Sequence, residues 1–199
     1  MATTTREQFL DTAEALFAAR GFYGTSIAAI ADELGLTKQA LLHHFGSKEK
    51  LYGDVLRRIS DQFEALRPET EAAAEEPAVH LKAYLMQIFQ TASNGSNQTR
   101  LLMRELLDNN ERAETAGEWF LKPFLNNLVT MVTAIPNWQD ASKAEALAMV
   151  YQILGAINYF GISAPTLTGI FGKTAHARFE QAFPPQLERL FEAAISARQ

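Results

Sequence analysis

The sequence predicts an all-α protein. Apolar residues recur at i, i+3 and i+4 in most stretches between breakers, as in helices with one buried face. No stretch of useful length alternates apolar and polar residues as a half-buried strand does. Gly, Pro and capping side chains fall where the stripes stop and start. Apolar residues make up 47 % of the 199 and charged residues 21 %, enough apolar surface for a sizeable core.

The first helix is expected from about Arg6 to Arg20. Thr4 and Glu7 have capping-box spacing at its entrance. Phe9, Leu10, Ala13, Leu16 and Phe17 form its stripe, and Gly21 ends it. From Thr25 to Phe45 two short helices meet at a tight turn. Ile27, Ile30, Ala31 and Leu34 share a face of the first. Gly35 supplies the positive φ that ends it cheaply. Leu36 plugs the corner and Thr37 caps the second helix. Leu41, His44 and Phe45 then face inward, with Lys38, Gln39, Leu42 and His43 on the other side.

Ser47 caps a long helix toward Leu66, whose face is Leu51, Val55, Ile59, Phe63 and Leu66; Pro68 stops it. The acidic stretch from Arg67 to Pro77 reads as a solvated surface connection. Helices are expected over Ala78–Ala92 and Thr99–Asp108, with a turn from Ser93 to Asn97. Glu111 to Ile135 should be mostly helical, with a kink or a fresh start at Pro123. Asp140 or Ser142 caps a helix reaching Phe160. Its Ala144, Ala148, Tyr151 and Gly155 share a face suited to close helix packing. Gly161 to Thr174 is expected as a loop or short helical turn, with a helix over Ala175–Phe183. Pro184 and Pro185 should introduce a final helix bearing Leu187, Leu190, Phe191 and Ala194.

The turn from Thr25 to Phe45 has the pattern of a helix-turn-helix. Ala31 is small where the helices cross, and Leu41 points back into the shared core. The outer face of the second helix is left to meet a major groove, whose width admits a helix. Any one of these residues fits an ordinary helical hairpin. Together they favour DNA binding.

The net charge of −5 does not advertise a nucleic-acid partner. Residues 1 to 58 hold seven Lys or Arg and seven acids, so attraction to DNA must be local. The lack of cysteine excludes disulfides and thiolate metal sites and fits a reducing compartment. No apolar run reaches the ~18 residues of a membrane span. The start lacks a signal peptide's apolar core, so the chain reads as cytoplasmic, with no membrane partner.

The stretch GFYGTSIAAIADELGLTKQALLHHFGSKEKLY, from Gly21 to Tyr52, resembles the tetracycline-repressor (TetR) family of bacterial transcription regulators. Thr25, Ile30, Ala31, Gly35, Leu41, Phe45, Lys48 and Leu51 carry the family spacing. Further on, only the helical layout and LLMRELLDN, from Leu101 to Asn109, are similar. The resemblance implies a DNA-binding domain over residues 1–46 and a ligand-binding and dimerisation domain over 47–199. It implies a homodimer joined through the last two long helices, and an operator of double-stranded DNA. Thr25 and Lys48 stand at positions that grip phosphates, Lys38 and Gln39 at base-reading positions. Leu42 departs from the family's usual Tyr and loses its phosphate-bonding hydroxyl, leaving contact with a thymine methyl as the alternative.

The DNA-binding residues expected are Thr25, Ser26, Thr37, Lys38, Gln39, Leu42, His43 and Lys48. Lys48 adds a charge to a helix N-terminus that can receive a phosphate. For an apolar or aromatic effector, a pocket is expected from among Met86, Phe89, Met103, Trp119, Phe120, Phe124, Asn127, Tyr151 and Asn158. Most of these would equally serve as core. No cofactor or metal is expected: adjacent His43 and His44 diverge on a helix and lack further ligands. GIFGKT, from Gly169 to Thr174, lacks the leading Gly and the strand of a phosphate loop. No nucleophile, base and acid assemble into an enzyme's set. The reading is thus a dimeric ligand-responsive repressor. The alternatives are a same-fold regulator without a small-molecule effector and, lower, a helical enzyme.

Overall fold

A computed structural model describes residues 4–67, 76–94, 97–108 and 120–197. In chain order the helices are α1 (Thr5–Arg20), α2 (Ile27–Glu33), α3 (Lys38–Phe45), α4 (Lys48–Ala65), α5 (Pro77–Ser93) and α6 (Asn97–Asp108). Then come α7 (Lys122–Thr133), a 3-10 turn (Pro136–Trp138), α8 (Lys143–Phe171) and α9 (Lys173–Ser196). Among the described residues there is no strand. The expected turn at Ser93–Asn97 and helix from Glu111 lie partly outside the described residues, as does Pro68.

The chain packs as two units, Met1–Gln62 with Asn97–Leu121, and Phe63–Ser96 with Lys122–Gln199. In the first, α1 begins at the Thr4–Glu7 capping box: the Glu7 N–H donates to Thr4 Oγ1 (3.3 Å), and the Thr4 N–H to Glu7 Oε2 (2.8 Å). The Thr4 N–H, and then the Thr4 hydroxyl donating to Glu7 Oε2 at 3.0 Å, lower the Glu7 carboxyl pKa. Phe9, Phe17, Ile30, Leu41, Leu51, Val55 and Ile59 are fully buried and form the core. Full burial of one such side chain is worth ~1.5–3 kcal/mol. The Arg58 guanidinium ties α4 to α1 through Asp11 and Glu14, both at 2.6 Å.

Helix α6 belongs to this first unit. Arg104 Nε donates to the Ala18 carbonyl at 2.9 Å and Nη2 to that of Ala19 at 2.8 Å. These belong to the last turn of α1, whose carbonyls lack helical partners and carry negative charge. The Tyr52 hydroxyl donates to Glu105 Oε2 at 2.6 Å, joining α4 to α6.

In the second unit, α5 buries Leu81, Tyr84, Leu85, Ile88 and Phe89. Pro123 stands in the first turn of α7, where its missing N–H breaks no helical bond. Ser142, not Asp140, caps α8, in a capping box with Glu145. Ala146, Met149, Val150, Ile153, Leu154 and Ile157 make the buried stripe of α8.

Two expectations fail here. Helix α8 continues eleven residues past Phe160, through Pro165, where a loop was expected. Helix α9 is continuous through Pro184 and Pro185, where a break was expected. A proline's φ is compatible with a helix; its cost is one lost bond and a crowded i−4 carbonyl. Pro165 and Pro185 are exposed, so water can reach the freed carbonyls. The residue four before Pro165 is Gly161, the least bulky. Across the prolines of α9, Phe179 and Phe183 on one side and Leu187 and Phe191 on the other keep one apolar stripe. Phe183 stacks on Phe160 with ring centres 4.3 Å apart, and Leu187 and Phe191 are buried. Packing therefore overrides the local breaker.

Helix α8 is long and apolar enough to cross a bilayer, with no charged residue from Ala146 to Phe171. Gln152, Asn158, Ser163, Thr166 and Thr168 interrupt it, so it contains no unbroken apolar run of ~18 residues, as expected. Its polar interruptions are uncharged, and its buried stripe is core of the second unit.

Candidate nucleic-acid interface

The corner between α2 and α3 follows from five residues, Ala31, Gly35, Leu36, Thr37 and Leu41. Gly35 has φ +65°, a left-handed conformation costly for side-chain-bearing residues. The Leu36 N–H turns back to the Ala31 carbonyl at 2.9 Å. Ala31 and Leu41 are both fully buried. Thr37 Oγ1 accepts from the Ala40 N–H (3.2 Å) and caps α3; Ser26 Oγ accepts from the Ala29 N–H (3.0 Å) and caps α2.

On α3, Leu41 and Phe45 are buried while Lys38, Gln39 and His43 are exposed and Leu42 is half-buried. The first turn of α3 thus presents an ammonium and a carboxamide to solvent. His44 departs from expectation: it is exposed rather than packed inside. Its ring lies over the rim of the core, with centres 5.8 Å from Phe9 and 6.2 Å from Phe45. At the end of so short a helix, a side chain on the inward stripe passes beyond the facing helix.

Thr25 is nearly fully buried, at 1 % exposure. Its hydroxyl donates toward the carbonyls of Gly21 (2.9 Å) and Leu16 (3.2 Å), at the end of α1. It fixes the entry to α2 from inside, while the neighbouring Ser26 is exposed. Gly24 is required there, because a Cβ would stand 2.2 Å from the Arg20 carbonyl oxygen. The Lys48 ammonium lies over the Phe22 ring, 4.3 Å from its centre. Burial holds the Lys48 pKa below its ordinary value, opposed by Glu49. Phe22 in turn packs edge-on against Tyr52 at 5.1 Å. Ser47 caps α4 by accepting from the Lys50 N–H at 3.2 Å. Glu49 is held below its usual pKa by its own backbone N–H and then by Ser47, so a carboxylate also sits at this helix start.

The structure does not gather the expected effector residues into one place. Met103 and Phe120 belong to the first unit, where Arg57 lies over the Phe120 ring at 5.0 Å. Phe89 and Phe124 are buried in the second unit, and Tyr151 is about half-exposed on α8. Met86 and Asn158 are half-buried, and Trp119 lies outside the described residues. Asn127 alone of these lines a cavity of about 210 Å³ in the second unit, with Arg67, His80 and Thr130. Sequence reasoning gave no role to Arg104, inside the LLMRELLDN stretch of α6, or to Arg67, two residues past α4. It also missed Phe22 as the seat of Lys48. An aromatic residue so far back in the chain gives no periodic signal. Among the described residues no group of three metal-ligating side chains converges.

Comparison with known proteins places these features. Residues 9–55 match the family model for bacterial regulatory proteins of the tetR family. The chain is 30 % identical over 100 residues to the HTH-type transcriptional repressor KstR2 of Mycobacterium tuberculosis (strain H37Rv), covering 50 % of each. It thus spans about half the length of that curated relative. It is 26 % identical over 172 residues to the HTH-type transcriptional regulator RutR of Escherichia coli K12, covering 85 % of this chain and 79 % of RutR. A TetR-like regulator from Rhodococcus sp. RHA1 shares the fold, with TM-score 0.66, 18 % identity and 98 % coverage of each chain. These relatives are named as transcriptional regulators, not enzymes. The match over residues 9–55 and these relatives support a regulator of the tetR family.

Proposed function

We propose that the chain is a dimeric repressor that binds a palindromic DNA operator in the cytoplasm and is released by a small molecule. The observation that carries this reading is the exposed start of α3, held outward by the buried Ala31–Leu41 corner. Lys38 pairs with guanine and Gln39 with adenine, each good bidentate contact being worth ~1–3 kcal/mol of discrimination. Lys48, Ser26 and the N-terminal turns of α2 and α4 receive phosphates. Thr37 holds the start of α3, and Leu42 and His43 extend its outer face toward the groove. Thr25 acts from within, positioning α2. Residues 1–46 carry DNA binding and 47–199 the effector and dimer contacts.

Dimerisation is supported by a second face of α8. Leu147, Tyr151 and Tyr159 are 37 %, 49 % and 69 % exposed, beside the small Ala144, Ala148 and Gly155. A second copy covering this row removes large apolar side chains from water. Two α3 helices then meet successive major grooves about 34–36 Å apart. Helix α4 and the Arg104 and Glu105 contacts of α6 transmit the effector's preference to α1 and α3. A coupling of about 1–3 kcal/mol is typical for such linkage.

Selection of bound duplexes from a random pool tests the reading. Enrichment of an inverted repeat with half-sites one helical turn apart is expected. A pool that stays random at low salt contradicts it. Repetition with candidate effectors separates the ligand-responsive repressor from a same-fold regulator without an effector.

A further inference from the structure

The cavity of the second unit lies away from the aromatic positions that the family resemblance suggests for an effector. It is formed by the end of α4, the start of α5 and one face of α7. Its volume is about 210 Å³. That is below the ~300–1,000 Å³ of sites for drug-sized ligands. Pro77 and Met131 give it an apolar wall, while Arg67 and Asn127 bring polar ends to its rim. Among the described residues no carboxylate forms an ion pair with the Arg67 guanidinium, whereas Arg6, Arg57 and Arg58 all have acidic partners. The Thr130 hydroxyl donates to the Asn126 carbonyl at 3.0 Å, so it offers a ligand only an acceptor. Asn127 offers both donor and acceptor.

We propose that this cavity binds a small organic carboxylate, with Arg67 receiving the carboxylate and Pro77 and Met131 the apolar body. A guanidinium matches a carboxylate with two parallel N–H···O bonds, which a neutral amide cannot reproduce. The size admits one ring or a short chain. This deepens the effector reading above by naming its site and the class of its ligand. Arg67 lies two residues past the end of α4, the helix that begins at Lys48, so occupancy bears on an element proposed to contact DNA.

The test uses the full chain and benzoate, phenylacetate and hexanoate, each beside its neutral amide. Binding is read by two-dimensional NMR titration without DNA. At least one carboxylate is expected to bind at least tenfold more tightly than its amide, with shifts at Asn127 and Met131. Arg67→Gln is expected to weaken that carboxylate at least tenfold, to leave amide binding unchanged, and to keep the wild-type melting temperature. Arg67→Lys restores part of the loss. Equal binding of acid and amide, binding indifferent to Arg67→Gln, or no binding of any of the three overturns the proposal. Operator affinity of the ligand-free protein is measured separately. If the carboxylate binds as described while no operator is found, the site stands and the regulatory reading falls.

Discussion

Thr25 serves the fold from inside, while Lys48 serves the fold and the proposed DNA contact. Thr25 spends its hydroxyl on the carbonyls of Leu16 and Gly21, inside the unit. Replacing it by Val removes this donor from both carbonyls, and a loss of ~1–3 kcal/mol is expected in urea denaturation. Thr25→Ser should lose less. Lys48 rests on Phe22, which aims the ammonium and limits its wandering. Lys48→Ala should weaken binding about equally across operator sequences and reduce the salt slope by about one. Tyr84 offers a check on the second unit. It is fully buried, donates to the Phe63 carbonyl at 2.8 Å, and burial pushes its pKa up to about 12. A raised folded pKa contributes stability below the unfolded value near 10. That stability is lost as pH rises from about 10 to 12. Tyr84→Phe should therefore flatten the alkaline limb of a stability-against-pH curve, read by denaturation at fixed pH steps.

At the scale of elements, caps and corners were legible in the sequence, because they are written in neighbouring residues. Thr4 with Glu7, the Ala31–Gly35–Leu41 corner, and the Thr37 and Ser47 caps all need only short-range geometry. Their stripes predicted which face of α3 turns outward, and Lys38 and Gln39 are there. His44 failed because periodicity gives a direction but not the length of the facing helix. The prolines of α8 and α9 failed for the opposite reason. Their local cost is real, but the Phe160 and Phe183 stack is a tertiary contact that no local pattern announces. Replacing the exposed Pro185 by Ala restores a backbone donor. It should raise stability by up to ~3 kcal/mol, measured as a higher melting temperature. The effector residues were illegible for a related reason. Apolar spacing identifies what is buried, and a cavity is a place where burial is incomplete. Arg104 belongs here too: Arg104→Ala frees the last carbonyls of α1. Faster amide exchange in α6 and at the end of α1 is expected, with α3 less affected.

For the whole molecule, the proposed function requires that two copies present α3 together. The exposed row on α8 is the proposed means. Tyr151→Glu with Tyr159→Glu places charges on that face, and sedimentation should show monomer where the parent chain sediments as a dimer. Operator affinity should fall with it, since each half-site contact then acts alone. The charge balance fits the same picture. A neutral stretch over residues 1–58 and an acidic remainder gain little from long-range attraction, so binding must come from contacts placed by geometry.

The exposed face of α3 is most directly tested by operator titration of the parent chain and of the Lys38→Ala, Gln39→Ala double variant, at one salt concentration. Selected and scrambled duplexes serve as ligands. The double variant should keep its helical content and its weak affinity for scrambled DNA while losing most preference for the selected site. An unchanged preference would show that some other surface reads the sequence.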